Sequence, residues 1–360
     1  MESPQLKVNL PINLQVKIYR GKNMRFREYL LRRLLLFIPT LFCVMVLVFI
    51  LSRMLPGDPA RLALGPDAPM SQISALRHSL GLDKPIHIQF LIFLENLLHG
   101  KMGLSLLTNR DVCQDVVQFY PASFELALVS MTIAMAIGIP LGIVSGIKQN
   151  KWIDHLSRVV SLFGVSVPRF WLAIIFILVF SFYMRIMPIS GRIGSGIPPP
   201  AHITGLYLID SLVTLNIPAF VSSLKHIILP AISLSVSPLA QIVRLLRAGI
   251  IEHKRAPYVM MVKANGMPED LINRKYLFKI SFIPVLSIIG LLFASIIAMS
   301  FVVETVFSWP GIGRYGSNAV LYADFNAIVG VTIVAGVTFI IANFVVDMFY
   351  GYFDPRIRYG

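Results

Sequence analysis

The chain has 360 residues, of which 56% are hydrophobic and 14% are charged, and its net charge is +14. Soluble globular chains carry about 25% charged residues, so this composition excludes an ordinary soluble protein. A basic soluble chain would suggest nucleic acid as a partner, but here the basic residues lie at the ends of apolar runs. The two cysteines stand alone and the seven histidines are scattered, so the sequence predicts no metal site and no redox motif. The composition indicates a protein of the lipid bilayer that binds no nucleic acid.

Six apolar runs reach or approach the length of about 20 residues that spans the hydrocarbon core. Five are free of charged residues, whereas the third is interrupted by Pro168 and Arg169, and its proline should kink the helix. The runs cover Leu34–Ser52, Leu126–Ile147, Val159–Met184, Ile227–Val243, Ile280–Val303 and Phe325–Val346. They predict an all-α polytopic membrane protein with six transmembrane helices.

The distribution of basic residues predicts the orientation, because lysine and arginine accumulate on the cytoplasmic side of membrane helices. Eight lysine and arginine residues lie between residues 7 and 33, before the first apolar run, and eight more lie between residues 244 and 279. We therefore expect both termini in the cytoplasm. Residues 1–27 would be a cytoplasmic tail and residues 28–360 a transmembrane domain. Within it, 55–122 would form an external segment and 252–279 a cytoplasmic loop.

The cytoplasmic loop contains the most informative local pattern. Tyr258 lies in a stretch that predicts a short helix, Gly266 follows its end, and Pro268 opens a second short helix. Glycine tolerates a positive φ just beyond a helix end, and proline suits the first turn of the next helix. Two short helices at right angles to the spans would form a knob that projects into the cytosol. An ordinary basic loop is the alternative, but it gives the glycine–proline break no evident use.

This loop resembles the coupling motif of ATP-binding-cassette (ABC) importer permeases of the oligopeptide/dipeptide/nickel group. The matching residues are Tyr258, Lys263, Ala264, Gly266, Pro268 and the pair Ile283-Pro284. The sequence departs at Val262, where a small alanine is usual, and at Met260, where other importer groups have glutamate. Further landmarks of the group follow in order, among them Pro56-Gly57-Asp58-Pro59, Phe307-Ser308-Trp309-Pro310-Gly311 and Asp354-Pro355-Arg356. Over residues 24–360 the chain is thus similar to a B-type membrane subunit with the type I importer permease fold.

The resemblance implies that the loop sits in a cleft of an ATPase subunit and transmits the closure of two ATPases to the spans. The coupling residues carried over are Tyr258, Val262, Lys263, Ala264, Gly266, Met267, Pro268 and Glu269. ATP and Mg would be bound by these partner ATPase subunits, because the phosphate-binding pattern GxxxxGK[ST] does not occur in this chain. A second homologous permease and an extracytoplasmic substrate-binding protein complete the implied complex in the plasma membrane. We expect no catalytic residue and no cofactor in this chain.

Arg169 is the most suggestive charged residue within an apolar run. A charge near the bilayer centre costs at least about 2.5 kcal/mol, so Arg169 should face an interior cavity or a partner. One hypothesis is that Pro168 and Arg169 line the translocation path, where the guanidinium could attract an anionic group such as a peptide carboxylate. The simpler alternative is a salt bridge or a contact with the partner subunit.

Two further features concern the external side. The turn at Trp309, Pro310 and Gly311 resembles a family loop, and we expect it to help close an external gate or to contact the binding protein. Glu125 and Glu304 lie near helix ends, where capping or pairing between helices is their expected role.

The second apolar run contains small residues at a regular spacing. Gly138, Gly142 and Gly146 form two successive GxxxG patterns, which let helices approach closely. The pattern predicts helix packing, either within the subunit or against a partner permease.

Two other classes of function stay open at the level of sequence, a secondary transporter that works alone and a membrane enzyme. The coupling motif and the absence of acidic residues in mid-membrane disfavour the first, and no nucleophile–base or metal constellation supports the second. The substrate is not determined. Members of the group carry peptides, nickel or its chelates, glutathione and oligosaccharides, with specificity mostly in the binding protein. Peptides are the most frequent of these substrates.

Overall fold

The computed structural model describes residues 26–54, 59–64, 68–79 and 81–353. The helices, in chain order, are α1 (Phe26–Met54), α2 (Pro59–Leu64), α3 (Met70–Ser79), α4 (Ile86–Leu98), α5 (Val112–Ile147), α6 (Trp152–Ser166), α7 (Arg169–Tyr183), α8 (Tyr207–Val213), α9 (Ile217–Lys254), α10 (Pro257–Ala264), α11 (Glu269–Val306), α12 (Ile312–Leu321) and α13 (Phe325–Phe353). Within these ranges the chain forms helices and no named strand, which confirms the all-α class. Most of the predicted tail 1–27 and the landmark Asp354-Pro355-Arg356 lie outside the described residues.

Four helices, α5, α9, α11 and α13, are long and apolar enough to cross a membrane. They contain the second, fourth, fifth and sixth apolar runs, so these predicted spans are confirmed as long apolar helices. The first run falls in α1, whose described apolar part is Leu35–Ile50. The total of six spans and the cytoplasmic position of both termini stay predictions.

The third predicted span differs from the expected single kinked helix. It consists of two helices, α6 and α7, whose axes are bent by 103° at the junction. Val167 is extended at φ −85° and ψ 127°, as expected for a residue before proline, and Pro168 supplies no N–H to continue the ladder. Arg169 therefore begins α7 and does not lie halfway along one helix, which corrects the prediction.

The centre of the fold is the contact between α5 and α9, which run side by side in the same direction. The facing pairs are Gly138–Ile242, Gly142–Leu246 and Gly146–Ile250. A methyl group on Gly142 would lie only 2.9 Å from the Cβ of Leu246. The small residues therefore serve packing within the subunit, which decides between the two alternatives left by the sequence.

α6 packs along α9 in the opposite direction. The buried carboxylate of Asp154 near the start of α6 pairs with Arg247 of α9, whose Nη2 lies 3.0 Å from Oδ2. Ten residues further along, Gly164 packs closely against the backbone of Val236. This arrangement brings the junction of α6 and α7 to the middle of α9.

Candidate functional site

The segment between α9 and α11 has the local structure that the glycine–proline break predicts. α10 begins at Pro257, where the missing N–H is harmless, and ends at Ala264. Gly266 has φ +78° and no atom within 4 Å of a Cβ that would be added there. Its N–H donates to the carbonyl of Lys263 at 3.0 Å, so the glycine closes the helix by a left-handed conformation. The break between helices is confirmed.

The second predicted short helix is not a separate element. Beyond Pro268, the chain continues from Glu269 to Val306 as one helix of 38 residues, with a π-helical segment at Ile272–Phe278. Pro284 lies inside this helix, because neighbouring groups can re-satisfy the carbonyl that a proline frees in a membrane helix. The predicted knob is therefore built from α10 and the first turns of a long apolar helix. A displacement of α10 would act directly on that helix.

The two faces of α10 differ in exposure. Val259 is buried, and the half-buried Val262 and Met267 pack against the same core cluster as Ile272 and Leu277. The inner face thus fixes α10 to the start of α11 by apolar contacts.

The opposite face of α10 is open and partly apolar. Tyr258, Met260 and Met261 expose 38%, 59% and 68% of their surface. Burial of the ring, followed by the charge of Glu252, raises the pKa of the Tyr258 hydroxyl. Lys263 and Glu269 are both exposed and form an ion pair of 2.7 Å across the break. The sequence analysis recorded Met260 only as a departure from a pattern, and it did not identify the exposed methionine pair.

The structure places the eight residues carried over from the coupling motif in one compact segment. Six are exposed and two are half-buried. The exposed ones are Tyr258, Lys263, Ala264, Gly266, Pro268 and Glu269, and the half-buried ones are Val262 and Met267.

The junction of α6 and α7 brings a cation into the helix bundle. Arg169 is partly buried, and its Nη1 has no hydrogen-bond partner among the described residues. Pro168 is exposed. In the part of the chain that the structure describes, Arg169 forms no ion pair, so of the two simpler alternatives the salt bridge is not formed within these ranges, and the contact with the partner subunit stays a prediction.

On the other side of the bundle, Trp309 is buried rather than exposed. Its ring retains 1% of its surface, and Nε1 donates to the carbonyl of Ala122 at 3.0 Å. Gly311 is also buried, and of the predicted contact residues Pro310 is exposed. The Trp309 ring packs into the core and offers no surface to a binding protein in this conformation. Its role in closing an external gate stays a prediction. Contact through Pro310 stays a prediction.

Glu304 explains why the turn after α11 is so tightly packed. Its fully buried carboxylate accepts hydrogen bonds from Ser123 at 2.5 Å, from Ser300 at 2.6 Å and from the N–H of Arg314 at 2.8 Å. A methyl group on Gly311 would overlap Oε2 of this carboxylate. Glu304 thus joins α5, α11 and α12, which agrees with the predicted pairing between helices.

Glu125 forms a second buried connection, to the segment between α7 and α9. Arg192 Nη2 lies 2.6 Å from Glu125 Oε2, both side chains are almost fully buried, and the N–H of Leu208 donates to Oε1 at 2.7 Å. The guanidinium also stacks 3.7 Å from the ring centre of Tyr207. The sequence analysis missed Arg192, since no local pattern marks a buried arginine in a segment rich in glycine and proline.

The long apolar helices define a polytopic membrane protein, and comparison with known proteins gives its family. Residues 138–359 match the binding-protein-dependent transport system inner membrane component, and residues 25–127 match the N-terminal model of the same membrane component. The chain belongs to this family. It is a multi-pass protein of the plasma membrane and a permease subunit rather than an enzyme. Membership implies binding-protein and ATPase partners in general.

Curated relatives match over almost the whole chain. The probable D,D-dipeptide transport system permease protein of Escherichia coli K12 is 37% identical, over 88% of this chain and 93% of its own length. The dipeptide transport system permease protein of Alkalihalophilus pseudofirmus is 37% identical, over 92% of this chain and 99% of its own length. The glutathione transport system permease protein of Escherichia coli O6:H1 is 34% identical, over 92% of this chain and 99% of its own length. The resemblance found in the sequence is confirmed at the level of the family.

Proposed function

We propose that this chain forms half of the translocation pathway of an ABC importer for peptides or similar small solutes. A second homologous permease would form the other half, two ATPase subunits would bind ATP and Mg, and an extracytoplasmic binding protein would deliver the substrate. The names of the relatives, which refer to dipeptides and glutathione, support a peptide-like substrate. Oligosaccharides and nickel chelates are the alternative substrates, and a stand-alone transporter is the alternative mode of action.

The observation that carries this proposal is the exposed face of α10 at the start of α11. The partly apolar surface of Tyr258, Met260 and Met261 would dock in the ATPase cleft. Because α11 begins five residues after α10 and continues without a break to Val306, movement of the docked segment would be transmitted along one helix. Such a device is useless to a transporter without an ATPase partner.

The test is ATP-dependent uptake by the complete complex in proteoliposomes, with wild type compared with Gly266→Pro. Proline cannot adopt φ +78° and has no N–H for the bond to Lys263. We expect loss of both transport and substrate-stimulated ATP hydrolysis, while the chain still inserts. Labelled dipeptide, glutathione, an oligosaccharide and a nickel chelate should be offered in parallel, because the preferred one identifies the substrate class.

Gly100→Pro provides a matched control. Gly100 also follows a helix, has φ +72° and open space at its Cβ, and donates its N–H to Leu97 at 3.0 Å. It lies in the external segment, so its substitution creates the same backbone defect far from the coupling segment. Full activity of Gly266→Pro, or equal loss in both variants, would contradict the coupling role of this segment.

A further inference from the structure

The turn between α5 and α6 presents positive charge at one end of the helix bundle. Lys148 follows the last residue of α5, Lys151 precedes the first residue of α6, and both side chains are exposed. The exposed Lys254 at the end of α9 lies beside this turn, because its Nζ donates to the carbonyl of Ile147 at 3.0 Å. Three ammonium groups, which we call the lysine cluster, therefore share one end of the packed helices α5, α6 and α9.

The carboxylates around the lysine cluster are already engaged. Asp154 is buried and pairs with Arg247, and it is the one acidic residue between positions 148 and 160. The exposed carboxylates of Glu252 and Glu269 interact with side chains of α10. Within the described residues, no lysine of the cluster forms an ion pair with a carboxylate. The cluster therefore remains open to an anionic partner.

Hydrogen bonds hold the turn in a fixed shape. Asn150 has φ +62°, and its N–H donates to Oδ2 of Asp154 at 2.9 Å. The N–H of Lys151 donates to the carbonyl of Lys148 at 3.1 Å. Since Asp154 is itself paired with Arg247 of α9, the turn is tied to the neighbouring helix. The lysine backbones are thus brought together before a ligand binds, and preorganisation of this kind lowers the cost of binding.

An exposed apolar stripe begins directly beside the lysine cluster. Trp152 is the first residue of α6 and exposes 72% of its surface. Leu156, Val159 and Phe163 are also exposed and follow at helical spacing, so they lie on one face of the helix. Tryptophan is enriched at the level of the lipid headgroups. Cations, an aromatic ring and a hydrocarbon face thus follow one another along α6.

This order of chemical groups matches a phospholipid with a negative headgroup. A second permease of the same family would carry its own lysine and arginine residues on the same side of the membrane, so a contact here would bring like charges together, which is costly. A soluble partner could offer carboxylates, but it would not cover the apolar stripe inside the membrane. An anionic phospholipid offers both a phosphate for the lysines and acyl chains for the stripe.

We propose that Lys148, Lys151, Lys254 and Trp152 form a binding site for an anionic phospholipid. The phosphate lies among the three ammonium groups, and the acyl chains lie along the exposed face of α6. Clusters of basic residues next to membrane helices attract anionic lipids in this way. The inference depends on the position of the chain in the membrane and not on the transported substrate or on the docking of an ATPase.

The test measures quenching of the Trp152 fluorescence by brominated lipids in the purified complex. The complex is placed in nanodiscs of phosphatidylcholine with a rising fraction of brominated phosphatidylglycerol, or of brominated phosphatidylcholine as the neutral comparison. The difference between wild type and Trp152→Phe isolates the signal of Trp152, because all other tryptophans are common to both. We expect half-maximal quenching at a clearly lower fraction of the anionic lipid than of the neutral one.

Charge removal within the cluster supplies the second arm. Lys148→Gln and Lys151→Gln should each raise the fraction of phosphatidylglycerol at half-maximal quenching about fivefold, the effect of one cation near an anionic lipid surface. Lys275→Gln is the matched control, because Lys275 is an exposed lysine in the first turns of α11 and lies outside the cluster. It should leave the quenching curve unchanged. All these lysines are exposed, so folding is not at risk.

Three results would overturn the inference. Equal quenching by both lipids, or no effect of the lysine variants, would leave only a general contact with the bilayer. Absence of quenching by either lipid would mean that another subunit covers Trp152. Inorganic phosphate at constant ionic strength should not relieve the quenching, since the acyl chains also hold the lipid, and relief would assign the cluster to a soluble anion. A complex that transports no peptide would refute the proposed function but leave this measurement intact.

Discussion

Arg169 begins α7 directly after the bend, and part of its guanidinium is buried without a hydrogen-bond partner in the described ranges. A role in the path predicts that Arg169→Ala slows uptake of peptides with a free carboxylate more than uptake of amidated peptides. Arg169→Lys should retain part of the wild-type preference for peptides with a free carboxylate, because lysine keeps the charge but not the planar fork of donors. Competition uptake in proteoliposomes measures both.

The control for this comparison is Arg158→Ala in α6. Arg158 is exposed and lies near the cytoplasmic end of the same predicted span. If Arg169→Ala leaves uptake of every peptide unchanged, the role of Arg169 in the path is refuted, and a contact with the partner subunit stays as the alternative.

The buried pair of Glu125 and Arg192 yields a prediction of stability. Removing one partner leaves the other charge buried, which costs about 3–5 kcal/mol, so Arg192→Met should lower the midpoint of thermal unfolding strongly. The double variant Glu125→Leu with Arg192→Met should recover much of the loss. Arg274→Met is the control, since Arg274 and its partner Asp270 are both largely exposed. Equal midpoints for the two single variants would refute a stabilising role of the buried pair.

At the scale of helices, the contact of α5 with α9 depends on the absence of side chains. Gly142→Ala would place a methyl group 2.9 Å from the Cβ of Leu246. Overpacking of this kind costs about 1–3 kcal/mol, so the variant should unfold at lower temperature in detergent. Ala136→Val adds two methyl groups on the exposed side of the same helix and should change the midpoint little. If Gly142→Ala unfolds at the wild-type temperature, α5 and α9 can move apart without loss of stability, and the prediction is wrong.

For the whole molecule, the orientation in the membrane can be tested by cysteine labelling. In a chain with Cys43 and Cys113 replaced by serine, His99→Cys should react with a membrane-impermeant maleimide in intact cells. Asn265→Cys, at the end of α10, should react only after permeabilisation. Both positions are exposed, so accessibility reports the side of the membrane. The reverse pattern would invert the predicted orientation and place α10 beyond the reach of a cytosolic ATPase.

Local patterns predicted much of the fold and part of the candidate site. The four long apolar helices were predicted from the length of the apolar runs. The break at Gly266 and Pro268 was predicted from the backbone chemistry of glycine and proline. Both signals depend only on residues close together in the chain. The bend before Arg169 was underestimated, because a kinked helix and two crossing helices have the same apolar pattern. The length of α11 was missed because charged residues between 269 and 279 interrupt the apolar pattern, although the helical backbone continues through them.

The sequence by itself determined the class of protein and its family, and it predicted the segment that should meet the ATPase, because these depend on composition and on short motifs. Only the tertiary structure decided that Trp309 is buried, that Arg192 pairs with Glu125, and that α11, α12 and α13 line an open apolar cavity. Arg192 and Glu125 are 67 residues apart in the chain, and the cavity walls come from helices separated by turns. Such contacts depend on how distant elements pack, and these particular contacts leave no periodic signal in the order of residues.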